Sequence, residues 1–238
     1  MDSSRSDSLF RWRARFADIL SRVKIVVAID GPAASGKSSV AREVSSRLGY
    51  SYVDSGAFYR AVTWWILRNK ADPFSEREIA DLVNRSQLKS GFENGEAFLC
   101  IDGADATPYL RDDDVNRSVS PVSLVPAVRA NLTQHFRDLA DQEDIVIEGR
   151  DIGSVVFPGT PFKFYIDAAQ KVRQQRRIAE GQEDEVAARD RVDSSRPNAP
   201  LMVARGALVI DTTHLAVNRV ADEIIRHLQV KGLAVPER

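Results

Sequence analysis

The sequence has little that would cross-link the chain or hold it in a lipid bilayer. It contains one cysteine, Cys100, among 238 residues, which excludes an internal disulfide and a four-cysteine metal site. Its longest apolar runs, residues 25–29 and 64–67, are far shorter than the ~20 residues that span a bilayer. An excess of one charge is also missing, because 33 Lys and Arg balance 34 Asp and Glu. We therefore expect a cytoplasmic protein that binds neither nucleic acid nor membrane, and whose anion recognition depends on local clusters.

Short apolar segments alternate with amphipathic segments along the body of the chain. The predicted strands are residues 25–29, 52–53, 144–147, 162–166 and 207–210, and the predicted helices are residues 38–48, 58–68, 127–140, 170–178 and 217–228. Strands that alternate with helices form a parallel sheet with helices on both faces. The sequence therefore predicts the α/β class, with a parallel sheet flanked by helices.

Residues 69–132 interrupt this alternation. Two apolar segments, residues 88–92 and 97–101, flank the turn sequence Asn94-Gly95 and predict an antiparallel hairpin. A further strand is predicted to end near Leu110. Substrate sites often lie between a core and an insert of this kind. The predicted organisation is a tail with a basic amphipathic helix (residues 1–23), a core (residues 24–68 and 133–238) and a small antiparallel insert (residues 69–132).

A phosphate-binding loop follows the first predicted strand. Residues 31–38, Gly-Pro-Ala-Ala-Ser-Gly-Lys-Ser, match the pattern G-x-x-x-x-G-K-[ST] and open directly into a predicted helix. Glycines let backbone amides close around an anion, and the helix N-terminus adds free N–H groups and a positive dipole end. Lys37 is expected to neutralise the terminal phosphates, and the Ser38 hydroxyl to bind Mg²⁺. The predicted ATP-binding residues are Gly31, Pro32, Ala33, Ala34, Ser35, Gly36, Lys37, Ser38 and Ser39.

Arginines follow two further predicted strands of this P-loop NTPase-type core. Arg60 comes shortly after residues 52–53, and Arg150 comes directly after residues 144–147. Because the carboxyl ends of parallel strands meet at one crevice, we expect both guanidinium groups to face Lys37. Guanidinium forks suit an acceptor that itself carries a phosphate, although a surface ion pair is the alternative for either arginine alone. Carboxylates stand beside these cations at Asp54, Glu148 and Asp151.

Four motifs occur in a fixed order from about residue 24 onward. They are residues 31–37, residues 54–60 (Asp-Ser-Gly-Ala-Phe-Tyr-Arg), residues 148–153 (Glu-Gly-Arg-Asp-Ile-Gly) with 155–158, and residues 189–196 with 199–201. In this combination the chain resembles the bacterial cytidylate kinase family. The resemblance implies transfer of the γ-phosphoryl group of ATP to CMP or dCMP, with Mg²⁺, by a monomer.

The resemblance also implies where the acceptor phosphate and the metal would bind. Arg60, Arg150 and Arg196 would hold the phosphate of the acceptor, and Ser55 would lie in the acceptor pocket. Glu148 would help to position the metal-bound waters beside Ser38.

The remaining acceptor contacts implied by the resemblance concern the nucleoside. Arg189 and Asp193 would contact the sugar, and Ser120, Arg129 and Asp151 would contact the base. A carboxylate that accepts from cytosine N4 and an arginine that donates to N3 or O2 fit cytosine, whereas both contacts would be mispaired with uracil.

Phosphoryl transfer needs in-line positioning and charge neutralisation rather than a covalent intermediate. In the resembled family the basic run at residues 171–177 leads into a lid over ATP, here a short one at about residues 173–196. A solvated helix face is the alternative for that run. The predicted catalytic residues are Lys37, Arg150, Arg173 and Arg177.

Two other functions remain open from the sequence. The same core could serve a kinase that acts on UMP, AMP or shikimate. The chain could instead be a regulatory protein that binds a nucleotide without turnover and uses its N-terminal helix as a contact. No chemistry is assigned to Cys100, His135, His214 or His227.

Overall fold

The structure, a computed structural model, describes residues 24–179, residue 190 and residues 201–236. The predicted helix within residues 1–23 lies outside the described residues. So does most of the predicted lid, with Arg189, Asp193 and Arg196. Among the described helices, none has the length and apolar character needed to cross a membrane.

One mixed sheet runs through the described part of the chain. Its strands are β1 (Val26–Asp30), β2 (Ser51–Asp54), β3 (Leu88–Glu93), β4 (Glu96–Ile101), β5 (Ala104–Asp105), β6 (Ile145–Gly149), β7 (Phe162–Asp167) and β8 (Leu208–Asp211). The strand order is β3-β4-β2-β6-β1-β7-β8, and β5 pairs with β4. Strands β2, β6, β1, β7 and β8 are parallel, whereas β3, β4 and β5 pair antiparallel to one another. The predicted parallel sheet and hairpin are therefore confirmed.

Helices cover both faces of the sheet. The described helices are α1 (Lys37–Leu48), α2 (Ser55–Arg68), α3 (Glu76–Arg85), α4 (Asp113–Val122), α5 (Pro126–Gln142), α6 (Gln170–Ala179) and α7 (Val217–Val230). Because successive strand residues point to opposite faces, Val27 and Ile29 of β1 pack with α1 and α7, whereas Ala28 packs with α2 and α5. The carboxyl ends of β1, β2 and β6 consequently lie side by side at one edge of the sheet.

The chain between α2 and α5 differs from the prediction. Helices α3 and α4 were not predicted, although Ser75 caps α3 by accepting a hydrogen bond from the Glu78 N–H at 3.3 Å, a capping pattern readable in the sequence. The third strand predicted for the insert is present as β5, but the prediction that it ends near Leu110 is wrong. Strand β5 stops at Asp105, whose carboxylate accepts from the Thr107 N–H at 2.8 Å and turns the chain into a 3₁₀ helix at Thr107–Tyr109.

Candidate active site

The phosphate loop, residues 31–36, lies between the carboxyl end of β1 and the start of α1. An ideal Cβ on Gly31 would lie 2.1 Å from the carbonyl oxygen of Ile166 in the neighbouring strand β7, so that only glycine fits there. Gly36 has a φ of 91° and begins α1 without a side chain that could cap the helix. The first N–H groups of α1 therefore point toward the space that an anion would fill.

Two arginines and a threonine support the phosphate loop by donating hydrogen bonds to its backbone carbonyl oxygens. Arg173 donates to the carbonyl oxygens of Ala33 at 3.2 Å and Ala168 at 2.9 Å, and its guanidinium contacts Asp190. Arg176 and Thr212 both donate to the carbonyl oxygen of Ser35, at 3.1 and 2.8 Å. Arg173, predicted to be catalytic, is thus better placed to support the loop than to touch a phosphate. Sequence reasoning assigned no role to Arg176 or Thr212.

A cleft of about 780 Å³ opens in front of the loop, at the carboxyl edge of the sheet. The predicted site residues that line it are Ala33, Ala34, Gly36, Lys37, Ser38, Ser39, Ser55, Arg60, Ser120, Glu148, Arg150, Asp151 and Arg177. Among the described residues, those predicted for the site but not lining the cleft are Gly31, Pro32, Ser35, Arg129 and Arg173. The fold therefore brings together residues from five separate segments of the chain.

Glu148 lines the cleft next to Lys37 of the phosphate-binding motif. Its carboxylate is buried, with Oε2 3.8 Å from Nζ of Lys37, and Oε1 accepts from the Tyr52 hydroxyl at 2.8 Å. Burial raises the pKa of Glu148, as does the nearby Asp54, whereas Lys37 and the hydroxyl of Ser38 lower it. The carboxylates of Glu148 and Asp54 repel each other, and together with the Ser38 hydroxyl they are a set of oxygen donors that fits a hard divalent cation.

Three guanidinium groups gather next to this carboxylate. Burial lowers the pKa of Arg60, and the positive charges of Arg150 and Arg177 lower it further, while Asp54 opposes them. Arg60 and Arg150 are partly buried, and Arg177 is buried. Guanidinium groups brought this close repel one another, and an anion bound between them would offset that repulsion further.

Arg129 and Asp151 form an ion pair beside the cleft. Asp151 is 4% exposed and lines the cleft, and Arg129 lies 5.8 Å from the centre of the Tyr59 ring. Arg129 also donates to the carbonyl oxygen of Ser123 at 3.4 Å. The hydroxyl of Ser123 in turn donates to the carbonyl oxygen of Ser120 at 2.8 Å. The segment that carries Ser120 and Arg129 is thus anchored beside Asp151.

Asp30 is a site residue that sequence reasoning missed. It ends β1, directly before the phosphate loop, and its two carboxylate oxygens accept from the N–H groups of Ile152 and Gly153, each at 2.8 Å. These two residues begin a π-helical turn, Ile152–Val156, that follows Arg150 and Asp151. One buried side chain therefore joins the strand end before the phosphate loop to the segment that carries Arg150 and Asp151. A carboxylate that ends an apolar strand is the signal that could have identified it.

The comparison with protein families decides the assignment. The cytidylate kinase family profile matches residues 27–230, which include every element that lines the cleft. The chain belongs to the cytidylate kinase family.

Individual relatives agree with this family. The chain is 37% identical to the cytidylate kinase of Streptomyces griseus, over 90% of this chain and 96% of the relative. It is 41% identical to that of Nocardia farcinica, over 85% of this chain and 92% of the relative. Among solved structures, a shikimate kinase from Acinetobacter baumannii is similar with a TM-score of 0.46 and 15% identity, covering 90% of this chain and 97% of that one. Similarity of that degree does not identify a substrate.

In this cytidylate kinase family member, Gly149 is required by the close approach of two segments. A Cβ there would lie 2.6 Å from Oγ of Ser55, which donates to the Glu148 carbonyl oxygen, and 2.7 Å from Cγ1 of Ile152. We expect Gly149→Ala to lower the free energy of unfolding by about 1–3 kcal/mol in urea titrations, because the packed neighbours must move. Gly159→Ala is the control, since its Cβ would meet open space. Equal stability of the two variants would contradict the prediction.

The buried carboxylate of Asp30 should make stability depend on pH. Burial raises the pKa of Asp30 from its usual value of 3.8 to about 6, although the two backbone N–H groups oppose this. The folded chain therefore binds this proton more tightly than the unfolded chain, so the stabilisation is present below about pH 4 and is lost as pH rises through about 6. Relative to Asp30→Asn, the wild type should lose on the order of 2 kcal/mol between pH 4.5 and 7.5. Urea titrations from pH 4.5 to 7.5 test this; parallel curves would be inconsistent with it.

Proposed function

We propose that this chain transfers the γ-phosphoryl group of ATP to CMP or dCMP and releases ADP with CDP or dCDP. The observation that carries the proposal is the single cleft in which the phosphate loop and Lys37 lie next to Arg60, Arg150 and Arg177. Two facing anions, a triphosphate and a monophosphate, would offset the repulsion within this cluster. Membership of the cytidylate kinase family supports a cytidine nucleotide as the acceptor.

The donor would bind against the phosphate loop. Backbone N–H groups at the start of α1 and the ammonium of Lys37 would hold its phosphates, and Arg177 would neutralise charge that moves to the leaving ADP. Arg60 and Arg150, with Arg196 by resemblance, would hold the acceptor phosphate so that its oxygen lies in line with the γ-phosphorus. The new bond forms from that oxygen as the bond to the ADP oxygen breaks, and no covalent enzyme intermediate is needed.

The oxygen donors at the centre of the cleft fit Mg²⁺. Ser38 would contribute its hydroxyl and Glu148 would act through bound water, with ATP oxygens as further ligands. Within the described residues, no group of three or more His, Cys, Asp or Glu is arranged to bind a metal without such help. Bound Mg²⁺ would neutralise charge on the transferring phosphoryl group.

The acceptor base would be recognised by the Arg129–Asp151 pair with Ser120. Asp151 would accept from the cytosine amino group, and Arg129 would donate to N3 or O2. By resemblance, Arg189 and Asp193 would contact the sugar. We propose that residues 69–132 act as the acceptor-binding insert of the core.

A coupled assay that follows ADP formation tests the proposal. With ATP and Mg²⁺, we expect turnover with CMP or dCMP that exceeds turnover with UMP, AMP or shikimate. Faster phosphorylation of another acceptor would replace the substrate assignment, and nucleotide binding without any diphosphate product would reject the enzyme. We further propose a cytoplasmic monomer, for which light scattering of the purified chain should give a mass near 26.4 kDa.

A further inference from the structure

The β3–β4 hairpin meets the parallel sheet at one narrow joint. Within the hairpin, β3 and β4 pair along their whole length from Leu88 to Ile101. In the described residues, a single pair, Tyr52 opposite Glu96, joins β4 to β2, where the Tyr52 N–H donates to the Gly95 carbonyl oxygen at 2.8 Å. The other end of the hairpin packs against the core, where Leu99 and Ile101 are buried and Ser90 Oγ lies 2.8 Å from Nδ1 of His135, so that the end at Glu96 is the part that depends on this short pairing.

A side chain from the phosphate-loop helix crosses this joint. Arg42 of α1 contacts the carboxylate of Glu96, the first residue of β4, and its guanidinium lies 4.2 Å from the centre of the Tyr52 ring. The Arg42 and Glu96 side chains are 49% and 52% exposed, whereas Tyr52 beneath them is 3% exposed. All three residues line the cleft. The donor side of the site is thereby connected to the strand that forms the acceptor side.

The same contacts continue to the centre of the site. The Tyr52 ring that lies under Arg42 donates its hydroxyl hydrogen to Glu148, which faces Lys37. Residues that follow Glu96 in β4, namely Ala97, Phe98 and Leu99, line the cleft as well. The position of the hairpin therefore affects the shape of this side of the cleft, and the contacts of Arg42 connect the hairpin to Tyr52 and the buried Glu148.

We propose that Arg42 and Glu96 form a latch that holds the β3–β4 hairpin against the core and thereby sets the affinity for the acceptor nucleotide. Both are positioning residues, because they act through the hairpin and through Tyr52. The proposal rests on the proposed function as far as the acceptor is concerned. Exposed ion pairs contribute little to global stability, so that breaking this one should release the hairpin without unfolding the chain.

Three variants test the latch: Arg42→Glu, Glu96→Arg and the double variant that exchanges the two charges. Each single variant should raise KM for CMP about 3- to 5-fold, with KM for ATP and kcat little changed, and the double variant should restore KM for CMP. The matched control exchanges the charges of Arg47 and Asp222, a pair at 2.5 Å that joins α1 to α7 away from the cleft. It should leave every constant unchanged.

Hydrogen exchange provides a readout that does not depend on turnover. The Tyr52 amide, bonded to Gly95 across the joint, should exchange about 3- to 5-fold faster in each single variant, and the Ile147 amide of the central strand β6 should not change. An unchanged Tyr52 amide in both single variants overturns the latch. Equal effects on CMP and ATP constants also overturn it, because they indicate a general structural role. If the wild type fails to phosphorylate CMP, the proposed function fails, while the exchange data still decide the latch.

Discussion

Lys37→Met is expected to lower kcat by about 10³-fold, the largest effect predicted for a single residue of this chain. The ammonium is buried beside Glu148 and donates to the Pro32 carbonyl oxygen at 3.2 Å, so that its position is fixed before a nucleotide arrives. A preorganised charge aimed at the phosphates stabilises the transition state without reorganisation during the reaction. Steady-state kinetics with ATP, Mg²⁺ and CMP measures the loss.

The control for this variant lies on the same helix. Arg47→Met removes a cation of α1 whose partners, Glu43 and Asp222, lie outside the cleft, and we expect its kcat to match that of the wild type. The fold should survive Lys37→Met, because the pKa of Glu148 is already raised and the carboxyl group can take up a proton. A kcat within about tenfold of the wild type would remove Lys37 from the chemistry.

Asp151→Asn is expected to reduce the ratio of kcat/KM for CMP to that for UMP by about 10²-fold. Oδ2 of Asp151 accepts from Arg129, so an asparagine would keep its oxygen there and turn its amino group toward the base. That amino group faces the N4 amino group of cytosine as a mispaired donor, but it can donate to O4 of uracil. Initial rates with each acceptor at saturating ATP give the ratio.

Asp114→Asn is the matched control for base recognition. Asp114 also pairs with an arginine, Arg117, but its side chain is 76% exposed on α4. The ratio should therefore remain that of the wild type. Parallel losses for CMP and UMP in Asp151→Asn would indicate that Asp151 supports the fold rather than reads the base.

Local patterns in the sequence predicted the elements that position the donor site. Residues 25–29 are short and apolar because β1 is covered on both faces, and the glycines of the phosphate loop mark where backbone must approach backbone. Asn94-Gly95 indicated the hairpin turn, because both residues have positive φ, which asparagine and glycine adopt more readily than other residues. The pattern of apolar residues gave a wrong strand end near Leu110, because the chain turns at Asp105. That turn depends on a hydrogen bond from the backbone to the Asp105 side chain, which the spacing of hydrophobic residues does not indicate.

Composition and motif order by themselves determined the α/β class, the phosphate loop and the set of cations at the strand ends, since these depend on contacts between residues close in sequence. Arg173 and Arg177 stand in one basic run on one helix, so the sequence does not distinguish them. Only the tertiary structure decided that Arg177 lines the cleft, whereas Arg173 donates to the backbone of the phosphate loop. It likewise decided that Asp30 reaches Ile152 and that Arg42 reaches Glu96, contacts between residues far apart in the chain. Such pairs form only when the sheet brings β1, β2, β4 and β6 to neighbouring places, and spacing along the sequence carries no record of that arrangement.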